Sequence, residues 1–136
     1  MTDCLFCKIA KKEIPSSVVY EDEHVLAFLD IKPVHPGHTL VVPKQHSDDV
    51  SLLAKTEAEP LMQACQRISA ALLSLGADGV TVTSNVKPAA GQVIIHTHFH
   101  VIPRYKQDGL RLWPQHPYAE GHDKEWQEKL QQALRH

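Results

Sequence analysis

Histidines at positions 96, 98 and 100 recur at every second residue within the stretch Gln-Val-Ile-Ile-His-Thr-His-Phe-His-Val-Ile-Pro-Arg, residues 92–104. Imidazole can serve as nucleophile, base or ligand near neutral pH. Three side by side make poor packing material, because a buried ring needs partners for both nitrogens. The spacing points to chemistry, with scattered surface histidines as the competing reading. Cys4 and Cys7 form a second set. Their Cys-x-x-Cys spacing is that of half a zinc site, and a pair of reduced apolar thiols is the alternative. Cys65 stands alone in a helical pattern, where a buried reduced thiol is the usual outcome.

Something must hold these groups in place. Ile94, Ile95, Thr97, Phe99, Val101 and Ile102 are β-formers and Pro103 stops the run, which predicts one extended strand over 92–104. Alternation then sets His96, His98 and His100 on one face, roughly 6.5–7 Å between neighbours, with Gln92 in the same parity. Thr97, Phe99 and Val101 turn toward a core. Residues 80–84 alternate apolar and polar and should pair with this strand across the loop 85–91.

Upstream, Phe6, Ile9 and Ala10 stand at helical spacing, predicting a short helix within 4–12 whose apolar side is core or ligand wall. Residues 18–20 and 24–29 read as a strand pair joined by the acidic turn Glu21-Asp22-Glu23, itself expected to be solvated. Asp30 follows at once, ahead of Ile31, and a carboxylate at a strand end can accept hydrogen bonds from a sugar diol. His38 opens a strand over 38–42 after the turn-rich 33–37, and Pro43 ends it. Thr56 and Glu59 make a capping-box pattern with Pro60 in the first turn. Leu61, Cys65, Ile68, Leu72 and Leu75 form the apolar stripe of one long helix that Gly76 can close in a left-handed conformation. Beyond Arg104, a loop carries Trp113-Pro114 and Pro117-Tyr118, and Trp126, Leu130, Ala133 and Leu134 mark a last helix over 123–135. The order helix, strands, helix, strands, helix, with short connections, gives an α+β domain spanning 1–136.

The 136 residues carry a formal charge of −2, and the pI is near 6.5. That leaves no basic footprint for duplex nucleic acid or an anionic membrane. Phosphate, if bound, must be held locally. There is no leader-like N-terminus and no apolar run of spanning length, so a cytoplasmic protein is expected.

Ala90-Gly91-Gln92 leading into His96-Thr97-His98-Phe99-His100 resembles the signature of the histidine-triad family of nucleotide hydrolases and transferases. The resemblance extends through Cys4-Leu-Phe-Cys-Lys-Ile, Glu13-Ile-Pro, Val19-Tyr-Glu-Asp-Glu, Leu26-Ala-Phe-Leu-Asp-Ile and Pro36-Gly-His-Thr-Leu-Val-Val-Pro-Lys, in order and over almost the whole chain. It implies a five-stranded antiparallel sheet with a long central helix packed on it. It also implies that His98 attacks the α-phosphorus of a purine nucleoside phosphoramidate or dinucleoside polyphosphate, forming a nucleotidyl-histidine that water resolves. The backbone carbonyl of His96 would orient that ring. His100 and His38 would hold phosphate oxygens, and Gln92 would meet the bridging atom or the attacking water. Asp30, with Ile31 beside it, would take the ribose, Asn85 would lie near sugar and phosphate, and Phe6 and Ile9 would line the base pocket. Bacterial members imply a structural zinc on Cys4, Cys7, His46 and His96, no cofactor for the chemistry itself, and a homodimer through the central helix and neighbouring strand.

Two residues depart from the family pattern: Val93 stands where a serine or threonine is common, and Lys87 where a glycine is. Both put the substrate range in doubt. A diadenosine polyphosphate hydrolase and a nucleotide-binding module with little turnover remain alternatives. A catalytic zinc on all three histidines is disfavoured, because a flat strand spreads them over roughly 13–14 Å.

Overall fold

A computed structural model describes residues 3–135. Helix α1 (Leu5–Ala10) leads into strands β1 (Val18–Glu21), β2 (Val25–Leu29) and β3 (Thr39–Pro43). The long helix α2 (Lys55–Ser74) follows, then β4 (Gly79–Thr83), β5 (Phe99–Arg104) and helix α3 (His122–Leu134), with short 3-10 turns at Val50–Leu52 and Pro88–Ala90. All five strands join one antiparallel sheet in the order β1-β2-β3-β5-β4. The α+β class and the sheet expected from the resemblance are both present.

The central strands read as continuous apolar runs because both sheet faces are covered. On one face Val25, Ala27, Val41 and Val101 pack against Leu61, Ala64, Cys65 and Ile68 of α2. On the other, Leu26, Phe28, Leu40 and Val42 pack against Phe6 and Ile9 of α1. Burial pushes the Cys65 thiol up to about 11, so it is an inert part of the first core. Leu75, expected in the helical stripe, lies past the end of α2 and is exposed. Gly76 closes that helix at φ 106°, with the Ala77 amide reaching back to the Leu72 carbonyl at 3.1 Å.

Three local expectations are corrected. The Thr56–Glu59 capping box does not form: α2 starts two residues earlier, with Ala54 as an N-cap that gives no side-chain bond, and Pro60 sits in the second turn. Asp22 is not merely solvated, since its carboxylate accepts the His24 and Val25 amides at 2.8 Å each and closes the β1–β2 turn. Neighbouring Glu21 binds Lys12 and Lys44, which draw its carboxyl down to about 2. The third correction bears on the site. Regular strand begins only at Phe99, and residues 92–98 are irregular, with a tight bend in which the His96 amide meets the Ile94 carbonyl at 3.0 Å.

Candidate active site and metal centre

Register places the reactive groups. Phe28 and His100 lie on either side of Leu40 in the sheet, so these residues share the α1 face. The Asp30 amide bonds the His38 carbonyl at 3.0 Å, which brings both residues to the same end of that face. Gly37 lets the preceding loop return: its φ is 98°, and a Cβ there would meet Leu72 at 3.0 Å. His98, His100 and His38 then form a row with ring centroids 5.1 and 5.2 Å apart.

Fixed partners dictate where the protons sit on this row. His98 Nδ1 faces the His96 carbonyl at 2.8 Å and must donate, so Nε2 carries the lone pair. His38 Nδ1 accepts the Val34 amide at 3.0 Å, which leaves its proton on Nε2, aimed at His100 Nδ1 2.9 Å away. His100 therefore holds its own proton on Nε2. The arrangement offers one nucleophilic nitrogen beside one N–H donor. Burial lowers the pKa of His38 and of His98, and it brings His100 to about 4 with help from its two neighbouring rings. All three are neutral at pH 7.

Asp30, His38 and His100 also lie close enough to share a cation. Their hydrogen bonds oppose it: a metal on His38 Nε2 would force a proton onto Nδ1, against the Val34 N–H that points there. His38, expected to touch phosphate, spends both ring nitrogens inside the protein, on the Val34 amide and on His100.

The other cluster has the opposite logic. His96 Nε2 donates to the Pro43 carbonyl at 2.9 Å and His46 Nε2 to Asp48 Oδ1 at 2.9 Å, so both Nδ1 lone pairs turn inward, 3.1 Å apart. Cys4 Sγ lies 3.3 Å from His96 Nδ1, and Cys7 Sγ lies 3.4 Å from His46 Nδ1. Ligands of a tetrahedral zinc would stand about 3.4 Å (N to N) and about 3.6 Å (N to S) apart. Facing lone pairs repel unless a cation sits between them, and ligand imidazoles that donate their outer N–H to a carbonyl and a carboxylate are the usual support for a metal. The donor set fits zinc and leaves no protein position open.

His96 thus serves both groups, its ring turned to the thiols and its carbonyl to His98. The bend at 94–96, rather than strand alternation, makes this possible. Gln92 departs from expectation: it is 4% exposed, its Oε1 takes the Lys87 amide at 2.8 Å, and its Nε2 donates to the carbonyls of Asp48 and Ile94 at 2.6 and 3.1 Å. Both N–H donors and the oxygen of its side-chain amide are thus engaged by backbone groups.

Two cavities flank the row. One, about 560 Å³, is lined by Phe6, Ile9, Phe28, Ile31, Val93 and Ile94, with Asp30, His98 and His100 at its polar side. Phe6 and Ile9 are thus both core and wall. Val93 and Ile31 are largely exposed. The second, about 570 Å³, reaches His100 and His38 from the β4–β5 side. Asn85 lines this second cavity rather than the first, and it packs so closely on Gly91 (φ 102°) that a Cβ there would lie 3.2 Å from its amide.

Sequence reasoning missed the Val34 amide, the Pro43 carbonyl and Asp48. Only Asp48 left a trace, a carboxylate two residues beyond a candidate ligand. Backbone groups have no signature in composition.

The chain matches the HIT domain over residues 11–107. It is 49% identical over 113 residues to an uncharacterized HIT-like protein of Borreliella burgdorferi, 81% of each chain being covered. It is 35% identical to a Schizosaccharomyces pombe protein named adenosine 5'-monophosphoramidase, covering 85% of this chain and 86% of that one. The fold superposes on a Streptococcus mutans crystal structure with a TM-score of 0.91 at 40% identity, covering 98% and 87% of the two chains. A zinc-bound histidine-triad protein of Mycobacterium smegmatis gives 0.77 at 35% identity, covering 97% and 96%. With the histidine row, the five-stranded sheet and these matches in agreement, the chain belongs to the HIT domain family.

Proposed function

We propose that the protein is a nucleotide hydrolase that cleaves purine nucleoside phosphoramidates at the α-phosphorus through a covalent nucleotidyl-His98. The observation that carries this reading is the 2.8 Å bond from His98 Nδ1 to the His96 carbonyl, which leaves a neutral, fixed Nε2 lone pair beside a nucleoside-sized cavity. The base lies among Phe6, Ile9 and Phe28, and the Asp30 carboxylate accepts the ribose hydroxyls. His100 Nε2–H donates to a non-bridging phosphate oxygen. The relative named as an adenosine phosphoramidase supports the choice of leaving group.

In the first step His98 Nε2 bonds to phosphorus and the P–N bond to the amine breaks, its electron pair leaving with nitrogen, which takes up a proton. In the second, a water oxygen bonds to phosphorus, the P–N bond to His98 breaks, one water proton is released, and nucleoside monophosphate departs. No electrons are lost or gained. Charge developing on the phosphoryl oxygens is met by the His100 donor, the kind of fixed dipole that usually dominates such catalysis. Zinc on Cys4, Cys7, His46 and His96 supplies no chemistry to this reaction; when bound it fixes the ring whose carbonyl orients His98.

The test sets adenosine phosphoramidate, guanosine phosphoramidate and diadenosine polyphosphate side by side. The phosphoramidates should be cleaved faster. His98→Ala should lose roughly four orders of magnitude or more in kcat while nucleotide binding stays within a few-fold, since the lost interaction belongs to the transition state. An adduct trapped on any residue but His98, or faster cleavage of the polyphosphate, overturns the reading.

A further inference from the structure

His96 belongs to both clusters: its Nδ1 meets Cys4 Sγ at 3.3 Å and Cys7 Sγ at 3.5 Å, while its carbonyl takes the His98 Nδ1 proton at 2.8 Å. Whatever changes the thiols therefore reaches the nucleophile through one residue. The four ligand atoms of Cys4, Cys7, His46 and His96 all lie within 4.8 Å of one another, the two sulfurs included. Helical geometry sets α-carbons three residues apart at about 5 Å, within the roughly 4.4–6.8 Å that a disulfide spans. The two cysteines differ in access. Cys7 is buried, whereas Cys4 is partly exposed just before α1, where its sulfur accepts the Cys7 amide at 3.4 Å. An accessible thiol with a second thiol beside it to resolve its oxidised form is the pattern of a redox-responsive pair.

We propose that Cys4 and Cys7 form a reversible, peroxide-sensitive switch whose oxidation gives up the zinc and releases the segment that orients His98. The Cys4 thiolate bonds to one peroxide oxygen, the O–O bond breaks, and the product is a sulfenic acid. The Cys7 thiolate then bonds to the Cys4 sulfur and the S–O bond breaks. Each departing hydroxide takes a proton from solvent, and two electrons pass from the sulfur pair to one peroxide. A dithiol reductant reverses the step by thiol–disulfide exchange.

The disulfide removes both thiolate ligands and leaves two imidazoles, half of a closed zinc set. His46 Nδ1 and His96 Nδ1 then face each other at 3.1 Å with their lone pairs turned inward and no cation between them. Both rings cannot keep those positions. His96 is wholly buried, and its amide closes the tight bend to the Ile94 carbonyl at 3.0 Å. Displacing its ring loosens that bend and with it the carbonyl that fixes His98. The thiol chemistry stands without the phosphoramidase reading; the loss of turnover rests on it.

Zinc-loaded wild-type protein titrated with hydrogen peroxide separates these steps through four readouts: zinc passed to a chromogenic chelator, intact mass, amide exchange over 94–98, and hydrolysis of adenosine phosphoramidate. Zinc release and a Cys4–Cys7 disulfide should appear together and in equal amounts. Exchange over 94–98 should speed up, and kcat should fall about tenfold or more, the scale on which a reacting group is misplaced. Dithiothreitol with added zinc should restore all of these. Dimedone present during oxidation should label Cys4, and Cys65→Ala should respond as the wild type does, because Cys65 lies in the core under α2. A reduced protein without turnover overturns the reaction alone, and zinc release with faster exchange at 94–98 then still carries the switch. Thiols that outlast a large excess of peroxide, zinc retained after the disulfide forms, a dimedone adduct on Cys7 in place of Cys4, or zinc release that leaves exchange and turnover unchanged overturns the switch.

Discussion

Gln92 spends its entire side-chain amide on backbone groups of three separate positions. One of them, Lys87, sits at φ 74° and ψ 157°, a conformation natural to glycine and held here by that bond and by its ammonium, 3.8 Å from buried Asp49. Gln92 is therefore a positioning residue for the loop beside His98. The distinction from a water-contacting role can be measured. Gln92→Ala should lower the free energy of urea unfolding by about 2–4 kcal/mol, because it leaves buried partners unsatisfied. It should slow both half-reactions without accumulating adduct. A residue that merely orients the attacking water would give the reverse pattern, with unchanged stability and a nucleotidyl-His98 that builds up during turnover.

At the scale of elements, the Cys4, Cys7, His46 and His96 cluster brings together three segments: the start of α1, the loop after β3, and the bend before β5. Loop and bend are further stitched by Ser47 and Thr97, whose hydroxyls lie 2.6 Å apart while the Thr97 amide meets the Ser47 carbonyl at 2.8 Å. Purified protein should carry about one zinc per chain, filling the four-ligand set of Cys4, Cys7, His46 and His96. Cys4→Ala with Cys7→Ala should abolish it, lower the melting temperature by several degrees, and speed amide exchange over 94–98. Metal-free wild-type protein of undiminished stability would dispose of the idea. The same elements show what was legible in the sequence. The period of α2, the β4–β5 pairing and the Cys4–Cys7 half of the cluster were readable because each rests on side-chain type at a set spacing, whereas His46 and His96 joined it only through the family resemblance. The bend at 94–96 was not, since β-branched residues there argue for strand and the competing force is tertiary: His96 is drawn to the Pro43 carbonyl and the thiols. Gln92 was misplaced for the same reason, its parity having been counted along a strand that starts seven residues later.

Across the whole molecule, the sheet divides an apolar core under α2 from a face that buries imidazoles. His38, His96 and His98 are each under 10% exposed, and His100 is partly covered. Such rings fold only as neutral groups, so stability depends on pH. An unfolded histidine titrates near 6.5, whereas burial holds folded His100 to about 4. Between those values the unfolded chain binds more protons than the folded one. The contribution of neutral His100 is therefore complete above pH 6.5 and is lost progressively as pH falls toward 4. Discounted for partial exposure, His100 alone should account for on the order of 1 kcal/mol between pH 7 and pH 5. Urea unfolding at the two pH values, with zinc content measured at each, should show that loss in the wild type and a smaller one in His100→Gln, which keeps a polar side chain but cannot protonate. An equal loss in both proteins at constant zinc would assign the acid sensitivity to other groups and remove His100 from the account.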